Sequence, residues 1–162
     1  MQDTLILDSL DMARAQRATS AFLGLVLAGH DTTVDRWVVL DTLATVASPP
    51  ERTRLVPALA AALATDPARV EAVLDDAEAA GLVRVVSAPG GDIDGVRVEL
   101  TDAGEAQHTT LRSAVDRAAA ELCAGIPDHD LAAAHRVLEE VTRRADGWMQ
   151  FWAAARTVEE TR

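Results

Sequence analysis

A chain of 162 residues, of which 49% are hydrophobic and 25% charged, has the composition of a globular protein and is long enough to bury one hydrophobic core. Its net charge of −11 at pH 7 argues against broad, non-specific binding to nucleic acids or membrane surfaces. A local DNA contact is still allowed, because salt screens distant charges over about 8 Å.

The expected compartment follows from the cysteine count and the N-terminus. Cys123 is the single cysteine, so the chain forms no internal disulfide and suits a reducing environment. The opening residues MQDTLILDSLDMARAQ carry acids where a signal peptide carries basic residues. The apolar run AFLGLVLAG is too short to span a bilayer. We therefore expect a cytoplasmic protein that does not enter the membrane.

Two helices are predicted in the first part of the chain. Apolar residues recur at helical spacing from Leu5 to Ala28, which indicates a long first helix that ends at Gly29-His30-Asp31. Thr32 and Asp35 stand three apart, close to the spacing of a capping box, and begin a second helix that carries Trp37. The second helix ends at SPP (48–50), because consecutive prolines cannot continue a helix.

A third and a fourth helix follow, separated by a sharp turn. The third is predicted from about Arg54 to Ala64, with Pro57 in its first turn, where a missing N–H is tolerated. Asp66 can cap the fourth helix and Pro67 fits its first position. Gly81 ends the fourth helix. Its expected buried positions are Val70, Val73, Leu74 and Ala77.

A hairpin and two long helices complete the chain. Two β-branched runs, Leu82 to Ser87 and Val96 to Leu100, flank the turn segment PGGD (89–92) and predict a two-stranded hairpin. Thr101 can cap a fifth helix, and GIP (125–127) separates this helix from the last one. The expected fold class is mainly α with a small β-hairpin wing, a winged helix-turn-helix with helices on both sides. Residues 31–101 form this winged lobe, and residues 1–30 and 102–162 form a helical region without a separate linker.

The last helix carries an apolar stripe whose spacing alternates between four and three, as in a coiled-coil seam. A terminal helix frays unless its large apolar residues are covered. The chain's own first helix is one possible cover, and a second subunit is the other. We favour a second subunit, because both terminal helices lie outside the winged lobe. The expected interface residues are Leu131, His135, Leu138, Trp148, Met149 and Trp152.

With this order of elements, the chain resembles the MarR family (multiple antibiotic resistance regulators) over nearly its whole length. The likeness is carried by RWVVLDTLA in the second helix, by LVPALAAALATDPARVEAVLDDAEAAGLV, and by VRVELTDAGEAQ entering the fifth helix. The related PadR group shares the wing but usually starts directly with it, so the long first helix favours MarR. The resemblance implies a homodimeric, ligand-responsive repressor that binds a pseudo-palindromic operator in double-stranded DNA.

The resemblance also assigns roles to parts of the winged lobe. The fourth helix would be the recognition helix in the major groove, and the hairpin would reach the adjacent minor groove. The candidate DNA-binding residues are Arg52, Arg54, Arg69, Ala72, Arg84 and Arg97. Many family members bind small aromatic or phenolic effectors. The candidate effector site is a cleft near the lobe junction lined by His30, Trp37, His108 and Arg112, because an arginine facing aromatic and imidazole groups suits an aromatic carboxylate. The alternative is that these four are ordinary junction residues.

The charge of the lobe has the wrong sign for a DNA-binding surface. From residue 51 to residue 100 there are five arginines and nine acids. Glu71, Asp75 and Asp76 lie where the family typically has Ser, Thr, Gln or Arg. A simpler interpretation is that these acids lie on a solvated helix face, on which Arg69 pairs with Asp66 and Glu71 repels Asp75. Two functions therefore stay open: a DNA-binding regulator, or a winged-helix dimer that has lost DNA binding and binds a small molecule or a protein.

Neither catalysis nor a metal site is predicted. His129 and His135 are six residues apart and point in different directions on a helix, and acids beside His129 are expected at a helix start. The chain has no phosphate loop, nucleophile elbow or zinc-protease helix. Cys123 has no sequence cue for activation, so we expect an inert thiol, although some family members use a cysteine in redox sensing. No cofactor is expected.

Overall fold

The computed structural model describes residues 8–87 and 96–160, with the side chains of 87 and 149–160 left out of the description. Within these residues, no helix combines the length and hydropathy needed to cross a membrane. Contacts divide the chain into two compact units, Met1–Ala119 and Ala120–Arg162. The described elements are α1 (Ser9–Ala28), α2 (Val34–Thr45), α3 (Arg52–Ala62), α4 (Pro67–Ala79), β1 (Val83–Ser87), β2 (Val96–Leu100), α5 (Asp102–Leu122) and α6 (Asp128–Glu160).

The starts of α1 and α2 are each set by one side-chain cap. Asp8 accepts hydrogen bonds from the backbone N–H groups of Leu10 and Asp11, both at 2.8 Å. The part of the predicted first helix before Asp8 lies outside the described residues. The predicted capping box at Thr32 is wrong by one residue: Thr33 caps α2, whereas Thr32 is buried and its hydroxyl accepts a hydrogen bond from Gln107 on α5.

The predicted start of α3 is also wrong, because the helix begins two residues earlier. Glu51 forms an isolated β-bridge with Arg97, and its carbonyl accepts the first helical hydrogen bonds, from Arg54 and Leu55. This tertiary contact starts the helix at Arg52 and places Pro57 inside it rather than in its first turn. The local sequence does not report the bridge, so the pattern alone misses the boundary.

The strongest local signals of the sequence are confirmed in α4. Asp66 accepts a hydrogen bond from the N–H of Ala68 at 2.7 Å, and Pro67 occupies the first helical turn. Gly81 has φ +71°, the left-handed conformation that ends helices. Of the four expected core residues of α4, Val70, Leu74 and Ala77 are fully buried, and Val73 is half-buried.

Loss of the α4 cap is expected to cost about 1 kcal/mol of unfolding free energy. Asp66→Ala removes the acceptor of the Ala68 N–H and leaves that donor without its side-chain partner. Urea denaturation followed by circular dichroism measures the loss. The control Asp76→Ala, at an exposed position of the same helix, should change stability by less than about 0.5 kcal/mol. Equal losses in the two variants would contradict the cap.

The hairpin and the start of α5 close the winged lobe. β1 and β2 are antiparallel with Val83 opposite Leu100, and the predicted turn at 89–92 lies outside the described residues. The predicted cap of α5 is confirmed, because the Thr101 hydroxyl accepts from the N–H of Gly104 at 3.1 Å. The same hydroxyl donates to the carbonyl of Gly81 at 2.6 Å. The largest fully buried side chains of the core within Met1–Ala119 are Leu27, Val39, Leu40, Leu59, Val70, Leu74, Val98 and Leu111.

Candidate functional site

The outer face of α4 carries the candidate recognition residues. Arg69, Ala72 and Asp76 are three and four residues apart, so they share one face of the helix, and all three are exposed. Val70 and Leu74 lie on the opposite side in the core. The helix therefore presents one arginine, one methyl group and one carboxylate to solvent on this face.

Arg52 at the start of α3 is held by two acids of α4. Its Nε lies 2.8 Å from Glu71 Oε2, and its Nη2 lies 2.6 Å from Asp75 Oδ1. Partial burial lowers the pKa of Arg52, but the hydrogen bonds and charges of Asp75 and Glu71 outweigh burial and raise this pKa above its ordinary value. These two acids therefore bridge α3 and α4 through one guanidinium instead of simply repelling each other.

Arg69 is paired with a different acid from the one expected. Its Nε and Nη2 lie 2.9 and 2.7 Å from Asp35 Oδ2, at the start of α2. The pairing with Asp66 suggested by sequence spacing is wrong, because the Asp66 carboxylate accepts the backbone N–H of Ala68. The Arg69 side chain is nevertheless 65% exposed and stays accessible at the surface.

The three other candidate arginines also contact carboxylates. Arg54 lies 3.2 Å from Glu51, one helical turn away. Arg84 and Glu99 face each other across the hairpin register, with Nε 2.6 Å from Oε1. Arg97 donates to the carbonyl of Pro49 at 3.0 Å and approaches Glu51 at 3.9 Å. All five arginines between residues 51 and 100 are thus within 4 Å of an acid in the same lobe.

Three of the four candidate effector residues meet between α2 and α5. The rings of Trp37 and His108 stack with centroids 5.4 Å apart and planes at 8°. Asp41, which sequence reasoning missed, accepts contacts from His108 Nε2 at 3.0 Å and Arg112 Nη1 at 3.4 Å. The chain therefore supplies its own carboxylate to this arginine and imidazole. His30 is exposed after α1, and no described hydrogen bond or ion pair joins it to the other three.

A surface cavity of about 530 Å³ lies beside His108. It is bounded by the end of α2, the hairpin strands and the first turns of α5, and Trp37 and Arg112 are not among its lining residues. Three acids, Glu99, Asp102 and Glu105, and one arginine, Arg84, line it. Arg84 is paired with Glu99, so the lining has an excess of acids beside His108.

Helix α6, in the unit Ala120–Arg162, exposes large apolar side chains along one face. Leu138 is 56% and Trp148 is 62% exposed, and Leu131 is half-buried. His135 lies 3.4 Å from Glu139 on the same helix. The side chains of Met149 and Trp152 lie outside the described residues. On the polar side, hydrogen bonds from Arg143 and Arg144 lower the pKa of Glu140.

The remaining titratable candidates form no larger cluster in the described part of the chain. His129 Nε2 lies 3.1 Å from Asp130. Among the described residues, no group of three or more His, Cys, Asp or Glu side chains is arranged to hold a metal ion. Cys123 is a half-buried free thiol.

Comparison with known proteins identifies the fold. No protein-family model and no curated protein sequence matches the chain. Solved structures do: a MarR-family transcriptional regulator from Rhodococcus sp. RHA1 is 21% identical, with a TM-score of 0.67 over 80% of this chain and 89% of that one. A mutant of Escherichia coli MarR complexed with operator DNA is 22% identical, with a TM-score of 0.65 over 80% and 89% of the two chains.

A third similar structure contains a small molecule. CouR from Rhodococcus jostii RHA1, bound to p-coumaroyl-CoA, is 19% identical, with a TM-score of 0.64 over 80% of this chain and 87% of that one.

The described elements, six helices and a two-stranded antiparallel hairpin, agree with the architecture of these three structures. The chain has the winged-helix fold of the MarR-family transcriptional regulators.

Proposed function

We propose that this protein is a homodimeric, MarR-like transcriptional repressor that binds a pseudo-palindromic operator in the cytoplasm and has no enzymatic activity. The observation that carries the proposal is the capped helix α4, which has the core on one side and Arg69 exposed on the other. A similar structure holds operator DNA, which supports the same use of the fold here.

The dimer is proposed from the exposed apolar face of α6. Val137, Leu138 and Val141 are large apolar residues that a monomer would leave in water, and Leu131 begins the same stripe. Residues 1–30 and 102–162 would form the dimerisation region, and residues 31–101 the DNA-binding lobe. A twofold dimer would place two α4 helices on successive turns of the major groove.

The effector proposal concerns the residues around Asp41. Trp37 is buried in the core and stacks on His108, so His108 and the exposed Arg112 beside it are the side chains that an effector would contact. The bound coenzyme A ester in CouR supports a small-molecule role for this fold. We propose a small aromatic or phenolic effector that competes with Asp41 for His108 or Arg112.

Selection of bound sequences from a random DNA pool, at low and physiological salt, tests DNA binding. We expect a pseudo-palindrome to be enriched. Arg69→Ala should weaken binding to it about tenfold, because Arg69 is an exposed donor on the outer face of α4. Arg117→Ala, an exposed arginine of α5, is the control and should bind like the wild type.

The ion pairs favour a second candidate function. Since all five candidate DNA-binding arginines, which lie between residues 51 and 100, contact acids, the fold can also serve as a winged-helix dimer that has lost DNA binding and binds a small molecule or a protein. In that case no DNA sequence is enriched even at low salt. Equal binding by Arg69→Ala and wild type would also contradict the proposed role of α4.

A further inference from the structure

We propose that Glu71 and Asp75 mask Arg52 and thereby lower the affinity of the lobe for DNA phosphate. This inference rests on the proposed DNA-binding function and assigns affinity-determining residues to it. Both acids lie on α4, four residues apart, and both contact the guanidinium of Arg52 across the α3–α4 interface. Two acids of the proposed recognition helix therefore belong to an ion-pair cluster, which we call the Arg52 cluster (Arg52, Glu71 and Asp75).

The relative exposure of the three side chains carries the argument. The Arg52 side chain is only 21% exposed, whereas those of Glu71 and Asp75 are 44% and 67% exposed. A polyanion that approaches this edge of α4 meets the carboxylates before it meets the guanidinium. The cluster as a whole has one more negative than positive charge, so it repels phosphate although it contains an arginine.

Arg69, on α4, is the informative contrast to Arg52, on α3. It is also paired, with Asp35, but its own side chain is 65% exposed and its single partner leaves a neutral pair. Arg69 can therefore turn toward a phosphate or a base edge while Arg52 stays held. The sequence alone does not distinguish Arg52 from Arg69. The structure distinguishes them by their ion-pair partners and by the exposure of their side chains.

Masking has a measurable signature in the salt dependence of binding. A protein that neutralises DNA phosphates releases their counterions, and the logarithm of the binding constant falls with the logarithm of salt by about 0.9 for each phosphate neutralised. An arginine already held by two carboxylates adds nothing to this slope. Freed from them, Arg52 would add about 0.9 for each lobe that contacts DNA.

The test compares two double variants with the same change in net charge. Glu71→Gln with Asp75→Asn frees Arg52. Asp31→Asn with Glu78→Gln neutralises two exposed acids of the lobe whose carboxylates have no described ion pair or hydrogen bond, and it frees no arginine. Binding of a random-sequence duplex is followed by fluorescence anisotropy from about 50 to 200 mM salt, a range over which phosphate contacts change affinity strongly.

We expect the first double variant to bind about tenfold more tightly than wild type at the low end of this range, with the steeper salt slope. The second should gain less and keep the wild-type slope. Adding Arg52→Gln to the first double variant should abolish both its gain and its extra slope. Asp75→Asn alone, which keeps the Arg52–Glu71 pair, provides a milder variant and should show a smaller gain of the same sign. Circular dichroism confirms that each variant is folded.

Two results would overturn the proposal. Equal gains and slopes in the two double variants would show that only total charge matters, and a gain that survives Arg52→Gln would show that Arg52 is not its source. If either of these results is obtained while wild type binds the duplex, only the masking proposal is wrong, and the proposed DNA-binding function is not affected. If neither wild type nor any variant binds at low salt, both are wrong.

Discussion

Gly104→Ala is expected to destabilise the protein by about 3 kcal/mol, the upper part of the range for overpacking. A Cβ atom at this position would lie 2.0 Å from the carbonyl oxygen of Leu82 and 3.2 Å from Leu100 Cδ2. The nearest obstacle is backbone, which cannot rotate away as a flexible side chain can. The first turn of α5 would therefore have to move off the α4–β1 junction.

Thermal and urea unfolding of Gly104→Ala measure this loss. Gly24→Ala is the matched control, because Gly24 is also helical but a Cβ there meets nothing within 4 Å. The control should leave stability unchanged or raise it by up to about 1 kcal/mol through helix propensity. A Gly104→Ala protein as stable as wild type would mean that α5 does not approach Leu82 this closely.

Leu138→Glu is expected to convert the proposed dimer into a monomer. If the α6 face is the interface, the substitution buries an unpaired carboxylate among apolar residues, which costs at least about 3 kcal/mol and raises the dimer dissociation constant about a hundredfold or more. Operator affinity should fall with it, because a monomer reaches only one half-site. Size-exclusion chromatography with light scattering gives the mass directly.

Arg136→Glu is the control for the dimer prediction. It introduces a glutamate two positions before Leu138, on a different side of α6, where the wild-type arginine side chain is exposed. We expect this variant to elute as the wild type does. If Leu138→Glu keeps the wild-type mass, the α6 face is not the dimer interface, whatever the DNA-binding result.

The elements predicted most accurately from sequence are those that local chemistry determines. Asp66 and Pro67 start α4, Gly81 ends it, and Thr101 caps α5, each through contacts within a few residues. The predicted starts of α2 and α3 were wrong where a distant group takes part. Thr32 is taken by Gln107, which leaves Thr33 as the cap.

The candidate site shows the same division between local and distant information. The sequence identifies Arg52 as a basic residue of the lobe, but its partners lie 19 and 23 residues away on another helix. Asp41 is likewise brought to His108 by packing over 67 residues. Helical periodicity indicates which face of a helix a residue occupies. It does not indicate which charged residue of a neighbouring element lies opposite that face. Ion-pair partners at such separations therefore require the fold.

The close contact between α5 and the end of α4 has a mechanical consequence. The N–H of Thr101 donates to the Leu82 carbonyl, its hydroxyl donates to Gly81, and Gly104 lies directly against the same backbone. Helix α5 cannot rotate about its own axis at this end without carrying Gly81 with it. A displacement of the first turn of α5 would therefore be passed through these contacts to the C-terminal end of α4.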